Sequence, residues 1–398
     1  MKHLSILLIT MFVNMFTAFL SGQNIDEKVA GYTQFLSMQN TSAKDYVLGL
    51  FEKYDIVVLC ERNHLEMTQY DLIYDIVSDQ RFIDNVGHIF MEVGISNIAD
   101  TLNSFLRNSD LDDKVVEENL LCILRNADYW MLWEMTNYPV FIKKLYYLNR
   151  TLSDEKKINV HPSDIPFSWD SYTSKKQYQA FMNTLDIYRD TVMGVQMRDK
   201  IHEIRQSNDP RKKYLVIMNH YHSWFMPPRE GASWWLKDAF PSQTVNVLIS
   251  KVLVNDLIDD GRWDAAFKLT DKDDLGFDFK NNPFGETLFS NYVYNINNYG
   301  IFDSLVVKHL SMQDMFHGFV FYKPVEDHVL SLGYPNVISG EFKKEMHRRS
   351  AVFYGKTKAL LGRRRISKYY NIVKERQYKN LDMLIQQRDK WIDFTNEK

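Results

Sequence analysis

The sequence predicts an α/β protein built on a mostly parallel central sheet with helices on both faces, extended by helical elaborations. Two observations carry this. Four short, nearly continuous apolar runs, at 56–59, 88–91, 214–218 and 245–249, lack the alternation of half-exposed strands. Such runs are expected where both faces of a parallel sheet are covered. Between them lie stretches with apolar residues at helical spacing, and strand–helix alternation on this scale places helices against a parallel sheet.

The N-terminus is set aside before the fold is considered. Lys2 and His3 precede an apolar run from Leu4 to Leu20, small Ser21 and Gly22 follow, and the chain turns polar at Gln23. That order is the order of a secretory signal. The expected organisation is a signal peptide over 1–22, an α/β domain over 23–340 and a C-terminal helical extension over 341–398. The mature protein is expected to be exported, periplasmic or secreted, with no membrane span after signal removal. The formal net charge is −3, and loss of Lys2 makes it −3 − 1 = −4. A chain this close to neutral offers nucleic acid no electrostatic footing, so the expected partner is a small-molecule or peptide substrate. Two cysteines, Cys60 and Cys122, are too few for a disulfide scaffold or a zinc module built on three or four thiolates.

A weaker strand is expected at 158–160, and edge strands at 304–307 and 319–322. Helices are expected over 66–78, where Leu72, Ile73, Ile76 and Val77 share a face, then over 95–106 and 115–124. The longest is expected over 175–206, with Tyr178, Phe181, Leu185, Tyr188, Val192 and Val195 on one stripe and Gly194 as a tolerated interruption. Residues 255–300, rich in Asp, Asn, Gly and Phe, read as long loops. Residues 340–398 read as helical and basic, with Arg363, Arg364 and Arg365 on a solvated face.

Polar residues cluster where the strands stop. Ile56-Val-Val-Leu-Cys runs into Glu61, with His64 three residues on; His88-Ile-Phe-Met ends at Glu92. Tyr214-Leu-Val-Ile-Met is followed by Asn219, His220, Tyr221 and His222, and Val160-His-Pro-Ser leads to Asp164. Ligands of open α/β sheets bind beyond the carboxyl ends of the strands. A carboxylate at the end of an apolar strand requires a partner, because burying a bare charge is costly. Single such residues are commonly helix caps or core histidines, and His88, His309, His317 and His328 are read that way. Repetition across four strand ends points instead to a site formed by Glu61, His64, Glu92 and His220 or His222. Arg189 and Asp190, in the long helix, are expected either to face substrate with Asp164 or to form an exposed pair.

These pieces resemble the erythromycin esterase and ChaN-like superfamily, with its Tiki relatives. The family's Gly-Glu-x-x-His is similar to Cys60-Glu61-Arg62-Asn63-His64, with Cys60 in the place of Gly. The glutamate of the next strand falls on Glu92. The His-Asn-x-His element is similar to Asn219-His220-Tyr221-His222, where an ungapped match selects His222 and a one-residue shift selects His220. The family's helix arginine has no clear counterpart; Gln69 and Asp71 are the polar residues there. The resemblance spans most of 50–330. It implies an esterase-like hydrolase in which His64 is the general base, Glu61 or Glu92 orients it, and His222 acts as acid or holds an oxyanion. The Tiki branch implies one divalent ion (Zn, Mn or Fe) on His64, His222, Glu61 and Glu92. The ChaN branch implies a haem- or iron-binding protein without catalysis, although Tyr172 and Tyr178 serve equally well as a helix entry and a buried stripe. No Gly-x-Ser-x-Gly elbow is present, which argues against a serine hydrolase.

Overall fold

A computed structural model of the chain describes residues 26–225, 231–253, 255–292, 309–355 and 370–393. The expected signal peptide, the strand at 304–307 and the arginine run at 363–365 lie outside these residues. The centre is a seven-stranded sheet of β1 (Ile56–Glu61), β2 (His88–Ile95), β3 (Asn159–Asp164), β4 (Tyr214–Asn219), β5 (Thr244–Ile249), β6 (Asp274–Asp278) and β7 (Gly318–Tyr322). The strand order is β3-β2-β4-β1-β5-β7-β6. Every pairing is parallel except that of β6 with β7.

Apart from single turns, the helices among the described residues are α1 (Glu27–Ser37), α2 (Ala43–Leu50), α3 (Thr68–Val77), α4 (Gln80–Asn85), α5 (Ala99–Arg107), α6 (Asp113–Arg125), α7 (Asn137–Asn149), α8 (Lys175–Gln206), α9 (Ala232–Ala239), α10 (Arg262–Leu269), α11 (Phe342–Tyr354) and α12 (Leu381–Asp393). They cover both faces, and the pleat sorts the strand residues between them. Val57, Leu59, Ile89, Met91, Leu215 and Ile217 pack with α2, α3 and α5–α7. Their neighbours Ile56, Val58, Phe90, Val216 and Met218 pack with α8 and α9. Cys60, Leu248 and Phe319 join a third, aromatic-rich cluster under α1 and α10. Alternation of side chains along a strand produces this division. No described helix is long and apolar enough to cross a membrane.

The structure differs from the sequence expectation in several places, and β7, expected at an edge, lies inside the sheet between β5 and β6. β2 runs on to Ile95, so Glu92 lies within the strand, and Asp164 closes β3 instead of following it. Residues 255–300 are not all loop, because they contain α10 and β6. β6 was obscured by its composition, Asp-Leu-Gly-Phe-Asp; its Gly276 is required because a Cβ there would come within 2.4 Å of Tyr46 on α2. α8 has the expected bounds, with a capping box between Ser174 and Gln177, but its buried line shifts. Tyr178 and Leu185 are buried, Tyr188 is 56% exposed, and the line continues through Met193, Met197, Ile201 and Ile204. Finally, Gly194 is no mere interruption. A Cβ there would lie 2.6 Å from the Ala232 carbonyl oxygen, so its absence lets α8 and α9 cross in contact.

The segment after residue 340 packs back on the α/β unit. α11 lies against α8 and α12 against α10. β8 (Leu330–Leu332), before α11, pairs antiparallel with β9 (Lys374–Arg376), between α11 and α12, in a separate two-stranded sheet.

Candidate functional site

The Glu61 and Asn219 positions are paired across β1 and β4, so the two strands end level and open a crevice at their carboxyl ends. The loop after β1 is held by its own residues. Arg62, fully buried, donates to Ser250 O (2.5 Å), Ser250 Oγ (3.2 Å) and Glu66 Oε2 (3.1 Å), and also to Tyr322 O, joining the exits of β1, β5 and β7. Glu66 accepts from the backbone N–H groups of Thr68 and Gln69 and starts α3. This frame fixes Glu61 and His64 on the crevice floor.

His64 Nδ1 lies 3.1 Å from Glu61 Oε2, and its Nε2 lies 3.6 Å from Glu92 Oε1, too long for a good hydrogen bond. The other oxygen of Glu61, Oε1, is buried without a hydrogen-bond partner among the described residues. Glu92 Oε2 accepts from the Asn219 N–H at 2.7 Å, and Oε1 accepts from Arg189 Nη2 at 3.0 Å. Arg189 also grips Asp164 with Nε (3.0 Å) and Nη2 (2.8 Å), a forked geometry that lysine cannot reproduce. His222 places Nε2 3.2 Å from Glu92 Oε1 and Nδ1 against Asp190 Oδ1.

Charge governs the protonation of this cluster. Burial alone would drive the proton off His64, but the Glu61 and Glu92 carboxylates outweigh it and raise its pKa well above the ordinary value. Burial opposes protonation of His222 too, yet Glu92 and Asp190 raise its pKa to about 9. His222 is therefore an imidazolium at neutral pH, with both N–H groups donating to carboxylates. Arg189 Nη1, 3.1 Å from Nε2, is then a like-charged neighbour and not a hydrogen-bond donor to it. Burial would raise the Glu92 pKa, but the flanking His222 and His64 cations hold it well below the carboxylate range.

The structure thus brings together Glu61, His64, Glu92, His222, Asp164 and Arg189, and adds Asp190. His220 is not with them. It turns to the other side of β1, where its ring nitrogens lie 2.8 and 3.1 Å from Lys251 Nζ. Of the two histidines the expectation left as alternatives, the 3-10 turn His220–His222 thus brings His222 to Glu92 and Asp190 and His220 to Lys251. Cys60 likewise points away from Glu61. Its buried Sγ lies 3.0 Å from Ser223 Oγ and burial raises its pKa to about 12, so its side chain does not narrow the crevice at Glu61. Both cysteines are free.

One group was not anticipated. Asp128, in the loop between α6 and α7, is 7% exposed and lines the same cleft. Burial, with Asp164 adding repulsion, raises its pKa to about 8, so it holds a proton at neutral pH. The signal was an acid embedded in Ala127-Asp-Tyr-Trp-Met-Leu-Trp133, a run too apolar to be exposed. The cleft above these groups measures about 560 Å³, with walls that include Trp130, Trp133, Phe353 and Tyr354. Trp133 meets the His64 ring edge-on at 5.4 Å.

The donor set does not fit a resident divalent ion. Glu92, His64 and His222 are engaged with one another, the Arg189 guanidinium sits among them, and among the described residues no three His, Cys, Asp or Glu are arranged around a cation position. Axial ligation of haem meets the same obstacle at His222, whose two ring nitrogens both face carboxylates.

Comparison with known proteins places these features in context. No protein-family model and no curated protein matches the chain. Among solved structures, it is similar to a succinoglycan biosynthesis protein at 10% identity and TM-score 0.43, covering 75% of this chain and 96% of that one. It is similar to a Bacillus cereus protein at 10% identity and TM-score 0.42, over 74% of this chain and 97% of that one. It is also similar to ChaN of Campylobacter jejuni, solved with cofacial haem, at 18% identity and TM-score 0.30, over 52% and 86%. These are remote likenesses of architecture alone.

Proposed function

We propose that this chain is an exported hydrolase that adds water to an ester or amide carbonyl held in the aromatic cleft, with the Glu61–His64 pair as general base. The observation that carries this is the placement of His64. Its Nδ1 is fixed by Glu61, while its Nε2 lies at the cleft, 3.6 Å from the nearest carboxylate, with room for a water. The reacting form is the one in which His64 has given up its proton, against the hold of Glu61 and Glu92 on it; it then takes a proton from that water as the oxygen bonds to the carbonyl carbon, and Glu61 stabilises the imidazolium that forms again. Arg189 and His222, already charged and fixed, present positive charge to the developing oxyanion. Asp128 then gives its proton to the departing oxygen or nitrogen. The walls favour an amphipathic substrate with apolar or ring-bearing flanks.

The test is turnover of a panel of p-nitrophenyl esters, macrolactones and peptide amides by the wild type and by His64→Gln. Loss of a general base lowers the rate by about 10²- to 10⁴-fold. Equal turnover by the two proteins on every hydrolysed compound refutes the assignment.

A further inference from the structure

A second cleft, of about 590 Å³, opens on the other side of His64. Lys251, two residues past β5, lines it with His220, Tyr221 and Tyr292. Its amine is 2.8 Å from His220 Nδ1 and 5.7 Å from the centre of the Tyr221 ring. No carboxylate among the described residues pairs with it, and the nearby Cys60 thiol, its pKa raised to about 12, supplies no thiolate. Arg376 and Lys379, at the rim, are also basic. An ammonium half-buried in a cleft with no counter-ion among the described residues is costly, and a partly desolvated amine beside an imidazole is the setting in which lysine becomes a nucleophile.

We propose that Lys251 is an imine-forming residue, and that this second cleft binds an aldehyde or ketone bearing an anionic group. The nitrogen lone pair attacks the carbonyl carbon. The N–C bond forms, and the C=O π electrons go to oxygen, which takes up a proton from solvent; one amine proton stays on nitrogen in the protonated imine. His220 accepts a proton from nitrogen and returns it to the carbinolamine oxygen. The C–O bond then breaks, water leaves and C=N remains, with no change of oxidation state. Rim cations Arg376 and Lys379 hold the anionic group. Burial supports the required amine, because it lowers the Lys251 pKa to about 7. About half of it is free at pH 7, against roughly one part in 2,500 for an ordinary lysine.

The full chain is treated with equimolar pyridoxal 5′-phosphate at pH 7, reduced with cyanoborohydride and mapped by peptide mass spectrometry. Lys251 is expected to carry at least about tenfold more label than the median lysine, because of its larger free-amine fraction. His220→Asn is expected to slow its labelling, and Lys251→Arg to remove the dominant labelled peptide. Label spread over surface lysines, with Lys251 at or below the median, overturns the proposal. So does saturable binding of pyridoxal 5′-phosphate that leaves Lys251 unmodified, which marks a plain anion site. The mapping uses wild-type protein, so it stands even where a variant does not fold. Its outcome is also independent of hydrolysis in the first cleft.

Discussion

Replacing Arg189 with methionine keeps most of the side-chain length and removes the fork. Arg189 is about one-fifth exposed, and its partners Glu92 and Asp164 are each about one-twentieth exposed. Breaking a buried pair by deleting one member costs about 3–5 kcal/mol, because the remaining charges stay buried. An entropy of unfolding of about 2.1 cal/mol/K per residue, over roughly 370 residues, converts this to a drop in Tm of about 4–6 °C at pH 7. The pH dependence gives the sharper test. Glu92 is held well below its ordinary value of 4.5. The stability it contributes is therefore present above its unfolded pKa and lost as pH falls through the depressed folded value. The gap between wild type and Arg189→Met should accordingly be full at pH 6–7 and shrink below about pH 4 as the carboxylates protonate in both proteins. Thermal melts by circular dichroism from pH 3 to 8 measure it. A gap under about 1 °C at pH 7, or one unchanged down to pH 3, refutes the buried network.

Other expectations follow from the same geometry. His222, with its pKa raised to about 9, contributes stability that is full below the unfolded value of 6.5 and is lost as pH rises towards 9. The Tm gap between wild type and His222→Gln should therefore narrow from pH 6 to pH 10, starting from at most about 3 kcal/mol. Asp128→Asn should remove the alkaline fall in kcat/KM near pH 8, while the rise assigned to His64 losing its proton stays; a pH–rate profile on any hydrolysed ester distinguishes the two limbs. Arg62→Met should unfold the protein at least as readily as Arg189→Met, by about 3–5 kcal/mol, read from urea midpoints, because Arg62 has no exposure. Gly194→Ala should lower Tm by separating α8 from α9, and a Tm equal to wild type would show that the contact can relax.

The architecture was legible because the central strands are apolar on both faces, and nothing but a covered sheet accommodates runs such as Tyr214-Leu-Val-Ile-Met. The positions of Glu61 and Glu92 were legible for the converse reason, since an acid on such a strand has to find a counter-charge. β6 was hidden because its two aspartates and glycine mask only two apolar residues. The inward turn of Arg189 was hidden because helical periodicity counts apolar residues, whereas here the inward positions at 189 and 190 are charged and balanced from other strands. The choice between His220 and His222 could not be made from spacing: the two-residue step through a 3-10 turn decides what each ring meets. Asp128 needed tertiary burial to be recognised as an acid that keeps its proton.

The long helix α8 has a consequence for how this protein tolerates change. From its cap at Ser174 to Arg189 runs one uninterrupted rod, and each residue adds about 1.5 Å of rise and about 100° of turn. A residue inserted or deleted anywhere between 178 and 188 would swing both Arg189 and Asp190 out of the cleft together, stripping Glu92, Asp164 and His222 of partners at once. A same-length substitution on the exposed face, at Ile187 or Tyr188, would leave them in place. In this stretch, chain length is more tightly constrained than chemical identity, the reverse of the usual expectation for a surface helix.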